Sequence, residues 1–265
     1  MSTFRKITDK IHQGFTIIEV SLFLAITGLI FIGMIIGVNG ALNQNHYDDD
    51  VRLLTDFIQG VYSKVTSVEN DYRGRSNKAI YGKLITFGET LDLSMNSNSF
   101  GDVFVYDIVG NISINDVGSA KEALLALGAD VIVDNGLTID FAGIADFYRT
   151  RWGASLKSTK EAGNGNLKAA LMIIRSPSTG TIFTYGLNGA TVEVNQNRYD
   201  HKKKALTQAV MDSFSFTDVD ICVFTNNSGV YNGKMKDIRI SANARSSSGV
   251  NAMPIDESGT VNKCN

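Results

Sequence analysis

Residues 14–38 read GFTIIEVSLFLAITGLIFIGMIIGV, and the reading of this stretch governs the reading of the rest. From Phe15 to Val38 the only ionisable side chain is Glu19. A helix over these 24 residues would span ~36 Å, enough to cross a hydrocarbon core of ~30 Å. The preceding MSTFRKITDKIHQG carries Arg5, Lys6 and Lys10 against Asp9. That basic flank places residues 1–14 in the cytoplasm and sends the remainder across the membrane. A secretory signal peptide predicts an apolar core of roughly 7–15 residues and a small-x-small cleavage site. This core is longer, and the downstream GVNGALNQN is a poor site. A simple signal anchor fits the hydropathy but gives no reason for Glu19. A carboxylate inside the apolar run costs ~2.5–3.5 kcal/mol on insertion scales, which marks Glu19 as functional unless it merely sits at the interface.

The run Gly14-Phe15-Thr16-Ile17-Ile18-Glu19, after a short basic leader and before an apolar helix, resembles the cleavage and methylation motif of type IV pilins and type II secretion pseudopilins. The resemblance implies a cut by the prepilin peptidase between Gly14 and Phe15, followed by N-methylation of Phe15. It also implies that Glu19 pairs with the Phe15 amine of a neighbouring subunit. Physically, an amine at a helix start opposes the macrodipole. The two charges would be costly apart in a low-dielectric bundle and tolerable together. Gly28 falls where family members commonly have a glycine. Many major pilins have a proline in the later part of this helix; here Gly28, Gly33, Gly37 and Gly40 stand instead. Each glycine costs a helix about 1 kcal/mol relative to alanine. These positions are therefore candidates for local melting in a packed filament, or for close packing of helices through small residues.

Beyond Val38, Leu54, Phe57, Ile58, Val61, Val65, Val68 and Tyr72 recur at spacings of three and four, an apolar stripe on a helix. Asp56, Gln59, Lys64 and Glu69 fall opposite, and Arg73-Gly74 supplies a stop. The pattern predicts one helix over 15–73, roughly 88 Å long, with residues 15–38 as membrane and polymerisation segment and 39–74 as an amphipathic second half. The polar stretch Asn43–Asp50 reads as the exit from the membrane or a hinge, with Asp48-Asp49-Asp50 on a solvated face. After Gly74 the period shortens, and residues 75–265 read as an extracytoplasmic β-rich head. Strands are expected at 78–87, 221–226 and 236–242. Hairpins are expected at 103–114 (turn Gly110-Asn111), 131–141 (turn Asn135-Gly136) and 170–187 (loop Pro177 to Gly180). Short helices are expected at 119–128 and 204–214. The fold class is α+β, pilin-like: a long N-terminal helix packed on a mainly antiparallel sheet, with one core and room for a second small lobe.

The chain has 265 residues, net charge −2, 43% hydrophobic and 20% charged residues, which excludes a disordered or collagen-like protein. The near-neutral balance removes nucleic acid as the default partner. Two cysteines cannot make a four-cysteine metal site. Cys222 and Cys264 fall on the extracytoplasmic side, where disulfides persist. A bond between them would close residues 223–263, worth ~4 kcal/mol in the chain-entropy account. A C-terminal disulfide loop is also what the resemblance implies, and two free buried thiols are the alternative. Lys202-Lys203-Lys204, with Arg198 and His201 nearby, reads as a solvated helix start or a contact for DNA, a surface or a neighbouring subunit. His12, His46 and His201 are far apart. No HExxH, GxSxG or Walker motif occurs. No catalytic, cofactor-binding or metal residue is nominated, and neither an enzyme nor a cofactor is expected.

The resemblance implies a structural prepilin, held as a single-pass protein in the cytoplasmic membrane with its N-terminus inside. From there it would enter an extracellular pilus or a periplasmic or cell-wall pseudopilus serving adhesion, twitching, DNA uptake or secretion. Implied partners are the prepilin peptidase, other pilin subunits, an inner-membrane assembly platform, an assembly ATPase and membrane lipid, with a surface or DNA ligand for the head. A minor, priming or adhesive tip pilin is the related alternative. A signal-anchored binding protein or hydrolase that never assembles is the alternative of another class.

Overall fold

The computed structural model describes residues 16–67, 69–70, 78–87, 102–111, 120–126, 130–131, 146–151, 154–158, 169–176, 179–188, 204–205, 208–225 and 235–253. In chain order the elements are α1 (Ile17–Thr66), β1 (Glu69–Asn70), β2 (Lys78–Phe87), β3 (Asp102–Asn111), α2 (Ala120–Ala126), β4 (Asp130–Val131), β5 (Asp146–Arg149), β6 (Ala154–Ser158), β7 (Ala169–Arg175), β8 (Ile182–Asn188), β9 (Lys204–Ala205), α3 (Gln208–Ser213), β10 (Val219–Thr225), β11 (Met235–Ile240) and β12 (Val250–Met253). The class is α+β: among the described residues, one long N-terminal α-helix, two short α-helices, a single 3-10 turn at Ser247–Gly249 and antiparallel sheets. Contacts divide the chain into two compact units, 1–44 and 45–265, so the head unit takes in the helix from Asn45 onward.

Among the described residues the strands form two sheets. An eight-stranded sheet runs β8-β7-β2-β3-β4-β9, with β1 also on β2 and β5 also on β3; a four-stranded sheet runs β12-β11-β10-β6. The eight-stranded sheet is covered on both faces, which explains why β7 reads as an unbroken apolar run rather than an alternation. Leu171 and Ile173 join one core cluster with Leu54, Ile58 and Val61 of α1 and with Val219, Ile221 and Ile238 of the four-stranded sheet. Ala170, Met172 and Ile174 join a second cluster with Leu124 of α2 and Met211 of α3. At Gly82, next to an irregularity in the β2–β3 register, a Cβ would strike the Ile173 carbonyl and lie 2.9 Å from Ile174 Cα. The closeness of β7 requires glycine there. The β7–β8 hairpin turns through Gly180, whose φ of 70° suits glycine.

Several expectations need correction. The helix ends at Thr66 rather than near residue 73, because β1 pairs with Ile80 and Ala79 of β2 and the chain must be extended by Glu69. Arg175 Nη1 donates to the Thr66 carbonyl at 2.6 Å, placing a cation at the negative end of the helix. The stretch Asn43–Asp50 is helical throughout. Asp48–Asp50 is not a solvated face: Asp50 is buried and Asp48 pairs with Lys236, while Asp49 is exposed. Gly110 and Asn111 do not form the expected turn, and residues 112–114 lie outside the described residues. Gly110 and Asn111 both lie inside β3, opposite Ala79 and Lys78, because the ten-residue β2 offers a partner along that whole length. The expected helix 204–214 begins as strand β9, with Lys204 opposite Val131, and becomes helical only at Gln208. The solvated-helix reading of the basic run therefore fails at Lys204; Lys202 and Lys203 lie outside the described residues. β2 matches its expected bounds, and β7–β8, β10, β11 and α2 fall where expected within one or two residues. Beyond Val131, the 131–141 hairpin lies outside the described residues.

Candidate functional site

In unit 1–44 the helix presents apolar side chains in every direction. Each large apolar residue from Ile17 to Leu42 is at least 46% exposed, and Ile17 reaches 89%. This helix is long and apolar enough to cross a membrane. Two of its hydroxyls are turned back onto the backbone: Ser21 Oγ donates to Ile18 O at 2.9 Å and Thr27 Oγ1 to Phe23 O at 2.6 Å. Such back-bonding suits a segment with no water to satisfy it. The helix runs unbroken through Gly28, Gly33 and Gly37, and nothing lies within 4 Å of where a Cβ would stand at any of them.

Glu19 sits in the first turn. Its Oε2 accepts from Thr16 N at 2.9 Å and from Thr16 Oγ1 at 3.0 Å, while Glu19 N donates to Thr16 Oγ1 at 3.3 Å. This reciprocal pattern is a capping box, which satisfies orphan donors at the helix start and sets a negative charge at the positive end of the dipole. Hydropathy does not single out Thr16, yet the capping signature, Thr-x-x-Glu before an apolar run, is present in Thr16-Ile17-Ile18-Glu19. A plain anchor therefore does have a use for Glu19, as a cap. Gly14 and Phe15 lie outside the described residues, so the pairing of Phe15 with Glu19 remains an expectation.

Within unit 45–265 the helix turns one stripe inward: Tyr47, Val51, Leu54, Ile58, Val61, Tyr62 and Val65 are buried. Polar groups fix its ends. The Tyr47 hydroxyl accepts from Lys236 N and donates to Val223 O, both at 2.7 Å; Val223 and Lys236 face each other across β10 and β11. Burial pushes this phenol well above its usual range. Asp48 Oδ1 accepts from Lys236 Nζ at 2.5 Å. Asp50 accepts from the Tyr148 hydroxyl and, through both oxygens, from Arg151 N at 3.2 Å. Burial raises the Asp50 carboxyl above the ordinary carboxylate range, against those hydrogen bonds. Further along, Gln59 Nε2 donates to Val250 O at 3.0 Å, and the Tyr62 and Thr184 hydroxyls share a 2.9 Å bond. Burial pushes Tyr62 up to about 12. Tyr47 and Asp50 carried no sequence signal of their own, because their partners lie about 100 to 190 residues away.

Cys222 is buried on β10 and is disulfide-bonded; Cys264 lies outside the described residues. No group of three or more His, Cys, Asp or Glu placed to hold a metal occurs among the described residues. Comparison with family models, with curated proteins and with solved structures returned no match.

Proposed function

We propose that this chain is a prepilin: a structural subunit cut between Gly14 and Phe15, methylated at Phe15 and assembled through its N-terminal helix into a type IV pilus or related pseudopilus. The observation that carries this reading is α1 itself. One continuous helix is apolar and exposed all round as far as Leu42, has one carboxylate in its first turn, and becomes a buried spine from Tyr47. In a monomer, so large an exposed apolar surface calls for a bilayer or for copies of itself. A bilayer holds the subunit before assembly, and neighbouring helices take the lipid's place in the filament. Glu19 then meets the neighbour's Phe15 amine, while the glycines leave room for close approach. The prepilin peptidase, an inner-membrane platform, an assembly ATPase and other pilins are the partners this function needs. The absence of a proline from residues 15–38 favours a minor, priming or tip subunit over the major one.

Intact-mass and N-terminal peptide analysis of the protein from native membrane and sheared-surface fractions tests this. A chain beginning at Phe15 and heavier by one methyl group, recovered in the sheared fraction, is the expected result. A chain still beginning at Met1 in cells with an active prepilin peptidase would overturn it. The segment would then be an ordinary anchor for a binding protein or hydrolase.

A further inference from the structure

We infer that the turn Tyr47–Asp50 is a mechanical latch: it passes tension arriving along α1 into both sheets of the head and sets the force at which the helix leaves the head. The inference rests on the filament reading only for where the tension comes from. The geometry lies within unit 45–265. Tyr47 and Asp48 grip the four-stranded sheet, the phenol oxygen bridging Val223 O and Lys236 N and the carboxylate holding Lys236 Nζ. Two residues on, Asp50 grips Tyr148 of β5, in the eight-stranded sheet, and Arg151 N in the link from β5 to β6. One helical turn is thus tied to two sheets by directional bonds.

The helix beyond Asp50 is held differently. Val51, Leu54, Ile58 and Val61 are fixed by apolar contact, which is non-directional and re-forms as a helix slides. Among the described residues, the next polar bond to a strand is Gln59 to Val250 O, more than two turns further on. A stiff helix pulled from its N-terminal side loads the nearest attachments first. Hydrogen bonds weaken steeply with small displacements and angular error, and the two bonds on the Tyr47 oxygen share one atom, so they fail together. The latch therefore governs the barrier under tension more than its share of equilibrium stability would suggest.

The test is single-molecule force spectroscopy on the full chain in detergent, with handles on Asn43→Cys and Arg245→Cys, both exposed positions. Tyr47→Phe keeps the ring and removes both hydroxyl bonds. Tyr62→Phe removes a buried hydroxyl bond further along the same helix and serves as the comparison. Equilibrium denaturation of each variant supplies the reference. At fixed force, Tyr47→Phe should release the helix roughly tenfold faster, with Tyr62→Phe within about twofold of the parent. Asp48→Ala, at a partly exposed ion pair, should speed release in the same direction and guards against misfolding of Tyr47→Phe. Release rates that simply track each variant's equilibrium loss, or that do not change at Tyr47 and Asp48, would overturn the latch. Neither processing nor a filament is needed, so failure here leaves the prepilin reading standing, and failure of the N-terminal analysis leaves the latch standing.

Discussion

Glu19 is given two roles, a helix cap and an intersubunit charge partner, and substitutions can separate them. Glu19→Gln keeps an oxygen acceptor for Thr16 N and Thr16 Oγ1, the bonds of 2.9 and 3.0 Å, since Gln serves in a capping box as Glu does. It removes only the charge. Glu19→Ala removes both functions, and Thr16→Ala removes the hydroxyl half of the cap while leaving the charge. Loss of a cap costs about 1 kcal/mol, which frays the first turn roughly fivefold more often. Loss of the charge leaves the neighbour's amine unpaired inside the helix bundle, a larger penalty of about 3–5 kcal/mol by analogy with broken buried ion pairs. Hydrogen exchange of the first-turn amides in lipid reads the cap, and recovery in sheared filaments reads assembly. Glu19→Gln should exchange only slightly faster than the parent, since it keeps the acceptor and loses the charge at the positive end of the dipole, and be absent from filaments. Thr16→Ala should exchange faster and still enter them at reduced yield. Normal incorporation of Glu19→Gln would refute the charge pairing and leave Glu19 as a cap alone.

The head supplies three further tests. Gly60 lies in α1 with nothing within 4 Å of its missing Cβ; Gly60→Ala should stabilise the head by about 1 kcal/mol in chemical denaturation, and a loss would mean that the helix face is covered. The Tyr106 hydroxyl is buried with no hydrogen-bond partner among the described residues, and burial pushes it far above its usual range. Tyr106→Phe should therefore be neutral or stabilising by up to about 1 kcal/mol; clear destabilisation would reveal a buried water on that oxygen. Burial raises Asp50, so between the unfolded and folded carboxyl values the native state holds more protons than the unfolded one. Its contribution to stability is then greatest at low pH and declines as pH rises through that window. Asp50→Asn keeps an acceptor for Tyr148 and Arg151, so its stability relative to the parent should improve as pH rises above the ordinary aspartate value of about 3.9. A constant difference between the two curves would show that Asp50 titrates normally.

Features that repeat locally were legible in the residues alone. The all-apolar run from Phe15, the inward stripe Leu54-Ile58-Val61-Val65, and the β-rich runs of β2, β7, β10 and β11 announce element type because periodicity and propensity act over a few residues. The cap at Thr16 and Glu19 was equally local and equally legible. Folding settled the rest, each time through a distant partner. α1 stops at Thr66 because β1 must reach β2 and Arg175 meets the last carbonyl. Gly110-Asn111 stays in β3 because β2 lies opposite, overriding a turn propensity worth little against ladder hydrogen bonds. Tyr47 and Asp50, polar residues in a stretch that reads as solvent-facing, are buried because Val223, Lys236, Tyr148 and Arg151 arrive with matching donors and acceptors. Burying a polar group costs free energy unless it is partnered, and only the folded chain shows where the partners are.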